Sequence, residues 1–327
     1  MSITRRALSA CAILAFATAA TSAETGQVAY PTRPITLVVP FATGGSADIL
    51  ARILAATIGE SFRQPIVVDN RTGAGGLVGT SLVAKSAPDG YTLLLATDSL
   101  YAINPALYGK KAEEAMAALT PVVHLAEAPL VIAVNSESPA NDFPGFIAWA
   151  KSSPKPLSFG TPGIGTDHHL LGELIAKRAG VTLTHVPYRG AGAALGDIAG
   201  NQIDSLITLT VTAQPMVASG KIKLIAVASS RPYAVQPELS LIGQSLKGTD
   251  MLVSYSLMAP AGTPRAVVDK LNEAFNSALR MQSVGDKMIE LGLTPTGGTT
   301  VSFAQRMQAE RRQREGIIRD ANVKLAD

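Results

Sequence analysis

Residues 35–48 read Ile35-Thr36-Leu37-Val38-Val39-Pro40-Phe41-Ala42-Thr43-Gly44-Gly45-Ser46-Ala47-Asp48. The first five are apolar or β-branched and read as a buried strand. Pro40 has no N–H to give to a ladder and ends it. Beyond the Gly/Thr/Ser loop, Ile49, Ile53, Leu54 and Ile58 recur at helical spacing. A strand, a short glycine-rich loop and a helix make up the repeating unit of α/β folds.

The unit returns along the chain. Ile66-Val67-Val68 predicts a second strand, Gly73-Ala74-Gly75-Gly76 a turn, and the stretch to Ala87 a helix. Thr92 to Ala96 follows the Pro88-Asp89-Gly90 turn as a third strand. A second series opens near residue 130 with a strand at Leu130–Val134, a helix at Phe146–Lys151 and a strand at Leu157–Phe159. Gly160 to Asp167 is a loop, and Leu170, Leu171, Leu174 and Ile175 mark a helix face. Strands are expected at Leu183–Val186, Ile203–Leu209, Leu224–Ser229 and Met251–Met258, and helices at Ala191–Ala199, Ala266–Met281 and Ser302–Ile318. The pattern predicts an α/β fold with mostly parallel sheets flanked by helices. Trp149, Met216, Met251 and Met258 read as packing residues.

The chain has 327 residues, a length that favours two domains. It is 47% hydrophobic and 16% charged, which excludes a disordered chain. Its formal charge of +3 is dispersed, unlike the basic stripe of a nucleic-acid binder. The single cysteine, Cys11, excludes a disulfide scaffold. Arg5 and Arg6, then apolar Ala7 to Ala20, then Thr21-Ser22-Ala23 have the three-part layout of a secretory leader. Cleavage is expected after Ala23, and Cys11 is an ordinary residue of the apolar run. Thr4-Arg5-Arg6 with Leu8 fits a twin-arginine signal and a Sec signal alike. Removing residues 1–23 leaves 304 residues without cysteine, and the loss of two arginines lowers the charge to +1.

Three loops share one chemistry: Phe41 to Asp48, Gly160 to Asp167, and Tyr188-Arg189-Gly190-Ala191. Each is glycine-bearing and opens a helix. Glycine lets backbone approach a ligand closely. The unpaired N–H groups and the dipole at a helix start favour an anion, each worth roughly 0.3–1 kcal/mol when exposed and up to ~2 when partly buried. A small carboxylate is the expected ligand. Other chemistries lack their patterns. Val78 breaks G-x-G-x-x-G at the glycine loop, and neither a Walker motif nor a G-x-S-x-G elbow is present. His168 and His169 are adjacent, so they lack the i, i+4 spacing of a zinc pair. His169 reads either as a structural cap or as a ligand contact near the cleft. Asp48 reads as a loop brace, and so does Arg71.

In these segments the chain resembles the Bug family of periplasmic solute receptors, the substrate-binding components of tripartite tricarboxylate transporter systems. The resemblance runs from about Tyr30 to the end. It is carried by Tyr30-Pro31-Thr32-Arg33-Pro34-Ile35, Pro40 to Asp48, Asn70-Arg71-Thr72-Gly73-Ala74-Gly75-Gly76, and Ala87-Pro88-Asp89-Gly90-Tyr91-Thr92-Leu93-Leu94. Ile103-Asn104-Pro105, Val186-Pro187-Tyr188-Arg189-Gly190 and Ala259-Pro260-Ala261-Gly262-Thr263-Pro264 complete it. It implies a two-lobed, Venus-flytrap fold closing over a di- or tricarboxylate, an acidic amino acid or an aromatic acid. The expected division is a leader at 1–23, domain 1 at 24–127, domain 2 at 128–242, and a return to domain 1 at 243–327.

By the resemblance, Phe41, Ala42, Thr43, Gly44, Gly45, Ser46 and Asp48 form one wall of the site, with Thr97 and Asp98. Gly163, Gly165, Thr166 and His169 face it from the second domain, and Tyr188, Arg189 and Gly190 form a further wall. Three stretches depart from the family pattern, one of them the acidic stretch usual after Tyr108, which here reads Gly109-Lys110-Lys111-Ala112-Glu113-Glu114. Ala42-Thr43 stands where Pro-Pro is usual. Thr208-Leu209-Thr210 stands where many members carry Asp-Asn-Leu, which points to a ligand without a charged amine. The expected protein is a periplasmic monomer with no catalytic residues, metal, cofactor or nucleic-acid partner. It would hand its carboxylate to membrane transporter subunits or a sensor kinase. The rival readings are an exported hydrolase using Ser46 or Ser99 with a histidine, and a structural protein without a small ligand.

Overall fold

The structure is a computed structural model and describes residues 30–321. The expected leader, with Cys11 and the cleavage point after Ala23, lies outside the described residues. The strands are β1 (Ile35–Val39), β2 (Ile66–Asn70), β3 (Thr92–Thr97), β4 (Leu119–Pro129), β5 (Val131–Asn135) and β6 (Leu157–Thr161). They continue as β7 (Leu183–Pro187), β8 (Ser205–Thr208), β9 (Ile222–Val227), β10 (Ser240–Leu241), β11 (Leu252–Pro260) and β12 (Thr294–Pro295). The helices are α1 (Ser46–Phe62), α2 (Leu77–Ala84), α3 (Asp98–Ala102), α4 (Asn104–Tyr108), α5 (Lys110–Ala117), α6 (Phe143–Ser152) and α7 (Asp167–Ala179). After them come α8 (Ala191–Ala199), α9 (Thr210–Ala218), α10 (Ile242–Ser245), α11 (Arg265–Arg280), α12 (Gln282–Glu290) and α13 (Thr300–Ala321).

The strands form two sheets, in the orders β12-β4-β11-β3-β1-β2 and β10-β9-β5-β8-β6-β7. Chain order leaves the first sheet after β4 and returns to it with β11. The sheets are mixed rather than mostly parallel. β1–β2, β1–β3, β6–β7, β6–β8 and β9–β10 run parallel. β3–β11, β4–β11, β4–β12, β5–β8 and β5–β9 run antiparallel. Helices cover the central strands on both faces, so β1, β3 and β5 are almost wholly apolar and buried.

The β4–β11 ribbon is the longest pairing, running from Leu119 opposite Pro260 to Pro129 opposite Leu252. The sequence reading assigned no strand at β4. Its prolines and polar residues hide the apolar pattern, and Pro121 is tolerated because β12 reaches only Ala126 and Glu127, leaving β4 an edge at Pro121. α3 to α5, α9, α10 and α12 likewise have no counterpart among the expected helices. α9 carries Pro215 in its interior, which argues locally against a helix.

β1 lies between β2 and β3, and β6 lies between β7 and β8. At such a point the outgoing connections diverge and leave a crevice beyond the strand ends. The loop after β1 opens α1, and the loop after β6 opens α7. α7 has a complete set of end signals. The Thr166 hydroxyl caps it by accepting from His169 N at 3.4 Å, Lys177 and Arg178 sit in its last turn, and Gly180 closes it at φ 64°. α13 packs on α3 and β4 of the first sheet and reaches α7 of the second.

α7 meets its own sheet at Gly172, where an added Cβ would overlap the Phe159 ring. Gly172→Val is expected to destabilise the fold by about 1–3 kcal/mol through overpacking. A lowered urea midpoint with an unchanged m-value checks this.

Candidate ligand-binding site

The loop after β1 is held rigid from behind. Gly44 turns it at φ 77°. Its N–H donates to Asp48 Oδ2 at 3.0 Å, and Arg52 Nε donates to the same oxygen at 3.0 Å. Asn70 Nδ2 donates to the Phe41 carbonyl at 2.9 Å. Burial alone would push Asp48 up, but the hydrogen bonds from Arg52 and Gly44 hold its carboxyl below the ordinary value. Asp48 is therefore a brace, as its place in the loop suggested. α1 has Gly45 at its cap position and no capping side chain, so its first-turn N–H groups have no intrahelical acceptor.

The loop after β6 is built alike. Thr166 Oγ1 donates to the Gly163 carbonyl at 2.8 Å, and Gly165 turns at φ 77°. The Gly165 N–H approaches His169 Nδ1 at 3.5 Å, and the His169 ring stacks on His185 with centroids 4.0 Å apart. His168 points the other way. It is buried, its Nδ1 has no hydrogen-bond partner, and burial lowers its pKa to about 3, so it is neutral at pH 7.

The two loops meet around a cavity of about 30 Å3. One wall comes from Phe41, Gly45, Ser46 and Ala47 with Thr97 and Ser99; the opposite wall comes from Pro162, Thr166, Asp167, His168 and Ala191. Val253 and Tyr255 of β11 complete it, with Tyr255 OH donating to Ser46 Oγ at 2.6 Å. Helices α1, α7 and α8 all start on this cavity, and among the described residues no lysine or arginine lines it.

Of the residues singled out from sequence, Phe41, Gly45, Ser46, Thr97 and Thr166 line the cavity. The others stand around it. Thr43 and Gly44 are exposed, and Asp48 lies behind the loop. Ala42 N donates to the Arg189 carbonyl at 3.0 Å, so these loops of the two sheets touch directly. Gly190, at φ 137°, lies where a Cβ would come within 2.8 Å of Ala42 N. Tyr188 turns its hydroxyl to Asp197 Oδ2 at 2.6 Å. Gly163 and Gly165 shape the loop, and His169 lies inward on His185. Thr208 is buried, opposite Val131. Asp167, His168, Pro162 and Ala191 belong to or adjoin loops already recognised, but Val253 and Tyr255 carry no local signal. The hydroxyls weighed as nucleophiles bond elsewhere: Ser46 to Tyr255, and Ser99 Oγ to Thr97 Oγ1 at 2.7 Å.

Behind the cavity lies a buried ionic bridge. Arg314 Nη2 of α13 donates to Asp98 Oδ2 at 2.9 Å and to the Leu252 carbonyl at 2.6 Å. Arg314 Nε stands 2.6 Å from Asp167 Oδ1, an ion pair whose angle is too bent for a hydrogen bond. Ser254 N donates to Asp98 Oδ1 at 3.0 Å. Two carboxylates thus share one guanidinium. Burial, then the charge of Asp167, pushes Asp98 well above the ordinary carboxylate range. Burial raises Asp167 as well, although Arg314 opposes the rise in both. Next to the bridge, Glu310 accepts from Tyr101 OH, Ser254 Oγ and Arg306 Nε, each at 2.7 Å.

Residues 50–323 match the sequence model of a family described as Tripartite tricarboxylate transporter family receptor. Protein BugT of Bordetella pertussis is 33% identical over 312 residues, spanning 94% of this chain and 95% of that one. The solved structure of Rpa4515 from R. palustris with adipate is similar at TM-score 0.87 and 31% identity, covering 90% of this chain and 99% of that one. MatC from Rhodopseudomonas palustris with bound malate is similar at TM-score 0.83 and 31% identity, covering 88% and 100%.

Arg314→Met removes the only counter-charge of two buried acids and is expected to cost about 3–5 kcal/mol at neutral pH. The folded variant then holds more protons than the unfolded chain at every pH above the ordinary carboxylate value near 4. Its stability therefore falls as pH rises, and the deficit shrinks on acidification. Urea denaturation at pH 5 and pH 8 checks both the size and the sign.

Proposed function

The chain belongs to the tripartite tricarboxylate transporter receptor family, and on that premise we propose that it captures a small organic carboxylate between its two sheets and delivers it to a membrane transporter or sensor. The observation that carries this reading is the meeting of three helix starts from two different sheets at one cavity. Helix starts present N–H groups and a positive dipole end, which suit an anion without a charged side chain. The similar proteins solved with adipate and with malate hold carboxylates, which supports the same ligand class here.

Residues 24–127 with 243–327 act as one lobe and residues 128–242 as the other, each built on its own sheet. A cavity of about 30 Å3 admits one or two waters, so a metabolite enters when the lobes part. Closing brings Ala42 against Arg189 and Tyr108 OH against the Ile164 carbonyl at 3.3 Å. A ligand favours that closed form only by touching both lobes at once. The contacts strengthen as water leaves the site. Working outside the cytoplasm agrees with the leader layout of residues 1–23. The carboxylate is bound and released unchanged.

Ser46 is the first residue of α1, and Gly45 before it is extended at φ −78°, ψ 163°. Proline is therefore tolerated at Ser46 while removing its N–H. Ser46→Pro is expected to weaken carboxylate binding about tenfold or more relative to Ser46→Ala, which removes only the hydroxyl. Calorimetry with a panel of mono- and dicarboxylates checks this; equal affinities for the two variants would remove the α1 start from the site.

A further inference from the structure

We propose that the site admits a carboxylate with a single negative charge and rejects a second one, and that Asp167, held in its bridge with Arg314 and Asp98, makes that choice. This rests on the carboxylate reading above and narrows it to a ligand class.

Three observations lead there. First, Asp167 is both a cavity wall and the first residue of α7. Its carboxylate lies in the first turn of this helix, so α7 offers little to a second ligand anion. No lining acid belongs to α1 or α8 themselves, and Asp48 in the first turn of α1 lies behind the loop, bonded to Gly44 and Arg52. A ligand carboxylate belongs on that side, at Ser46, Ala47 and Ala191.

Second, no lysine or arginine is among the described residues that line the cavity. Arg314, which touches the wall residue Asp167, is buried and spent on two acids. The bridge carries a charge of −1 with both acids ionised and zero with one proton shared between them; neither state leaves a surplus positive charge. His168, the histidine on the wall, is neutral at pH 7.

Third, the remaining wall is mostly hydrocarbon: Phe41, Ala47, Pro162, Ala191, Val253 and the ring of Tyr255. A second carboxylate placed there would lose its water and meet no lysine or arginine, with Asp167 repelling it. The ligand that fits is a monocarboxylate whose far end is apolar or donates a hydrogen bond to Asp167.

The test uses two matched pairs that differ by one carboxylate, hexanoate against adipate and butanoate against succinate, titrated by calorimetry at pH 7.5 into the mature chain. In each pair that gives heat, the monoanion is expected to bind about tenfold or more tighter than its dianion. Asp167→Asn, nearly isosteric and one charge poorer, is expected to shrink the monoanion-to-dianion affinity ratio about tenfold. A dianion bound as tightly as its partner by the wild-type chain overturns the inference alone. So does an unchanged ratio in a folded Asp167→Asn protein. The wild-type comparison decides by itself if that variant does not fold. Absence of heat with all four acids overturns the carboxylate reading, and the inference with it.

Discussion

A guanidinium buried between two carboxylates holds three distant parts of the chain together. Arg314 lies on the last long helix, Asp98 at the end of the central strand β3, and Asp167 at the start of α7 in the other sheet. Taking such ions out of water costs several kcal/mol each, and their attraction offsets that only when geometry and extra hydrogen bonds are good. Here the Ser254 N–H and the Leu252 carbonyl supply those bonds. With two acids to one base, burial of the bridge and ionisation of the acids oppose one another. Separating the sheets would let water reach Asp167, which ties the electrostatics of the interior to the opening of the cavity.

The cavity itself is a product of topology. In each sheet a strand with parallel neighbours on both sides sends its chain out through a glycine-bearing loop into a helix. The two crevices face one another, and β11 runs beside β3 to add Val253 and Tyr255. The amides nearest the glycines are not all available: Gly44 N is spent on Asp48 and Gly45 N approaches the Ala42 carbonyl at 3.4 Å.

Much of this was legible residue by residue. Strands β1, β3, β5 and β6 announce themselves as apolar runs bounded by proline, glycine or polar turns, and α1 and α7 by spacing at 3.6. Phe41, Ser46 and Thr166 could be placed at the site because loop and helix start are adjacent in sequence. β4 could not, since its stability comes from pairing with β11, more than a hundred residues away. The mixed character of the sheets escaped for the same reason, because strand direction is set by long-range pairing rather than by local pattern. His168 and His169 show the limit within one helix turn. Neighbouring residues differ by about 100° around an α-helix, so one meets the cavity and the other His185.

Local chemistry thus determined the alternation of strand and helix, the glycine loops, and the anion-friendly helix starts, because each depends on a few consecutive residues. Tertiary structure alone decided which charged residue matters. Glu310-Arg311-Arg312-Gln313-Arg314-Glu315 reads as a uniformly solvated helix face, yet Arg311 and Arg312 are exposed while Arg314 is buried. Helical phase against two sheets selects it, and the acids it meets lie 216 and 147 positions back along the chain (Asp98 and Asp167). Electrostatic energy depends on separation in space and on the loss of water, and neither is written in the order of the residues.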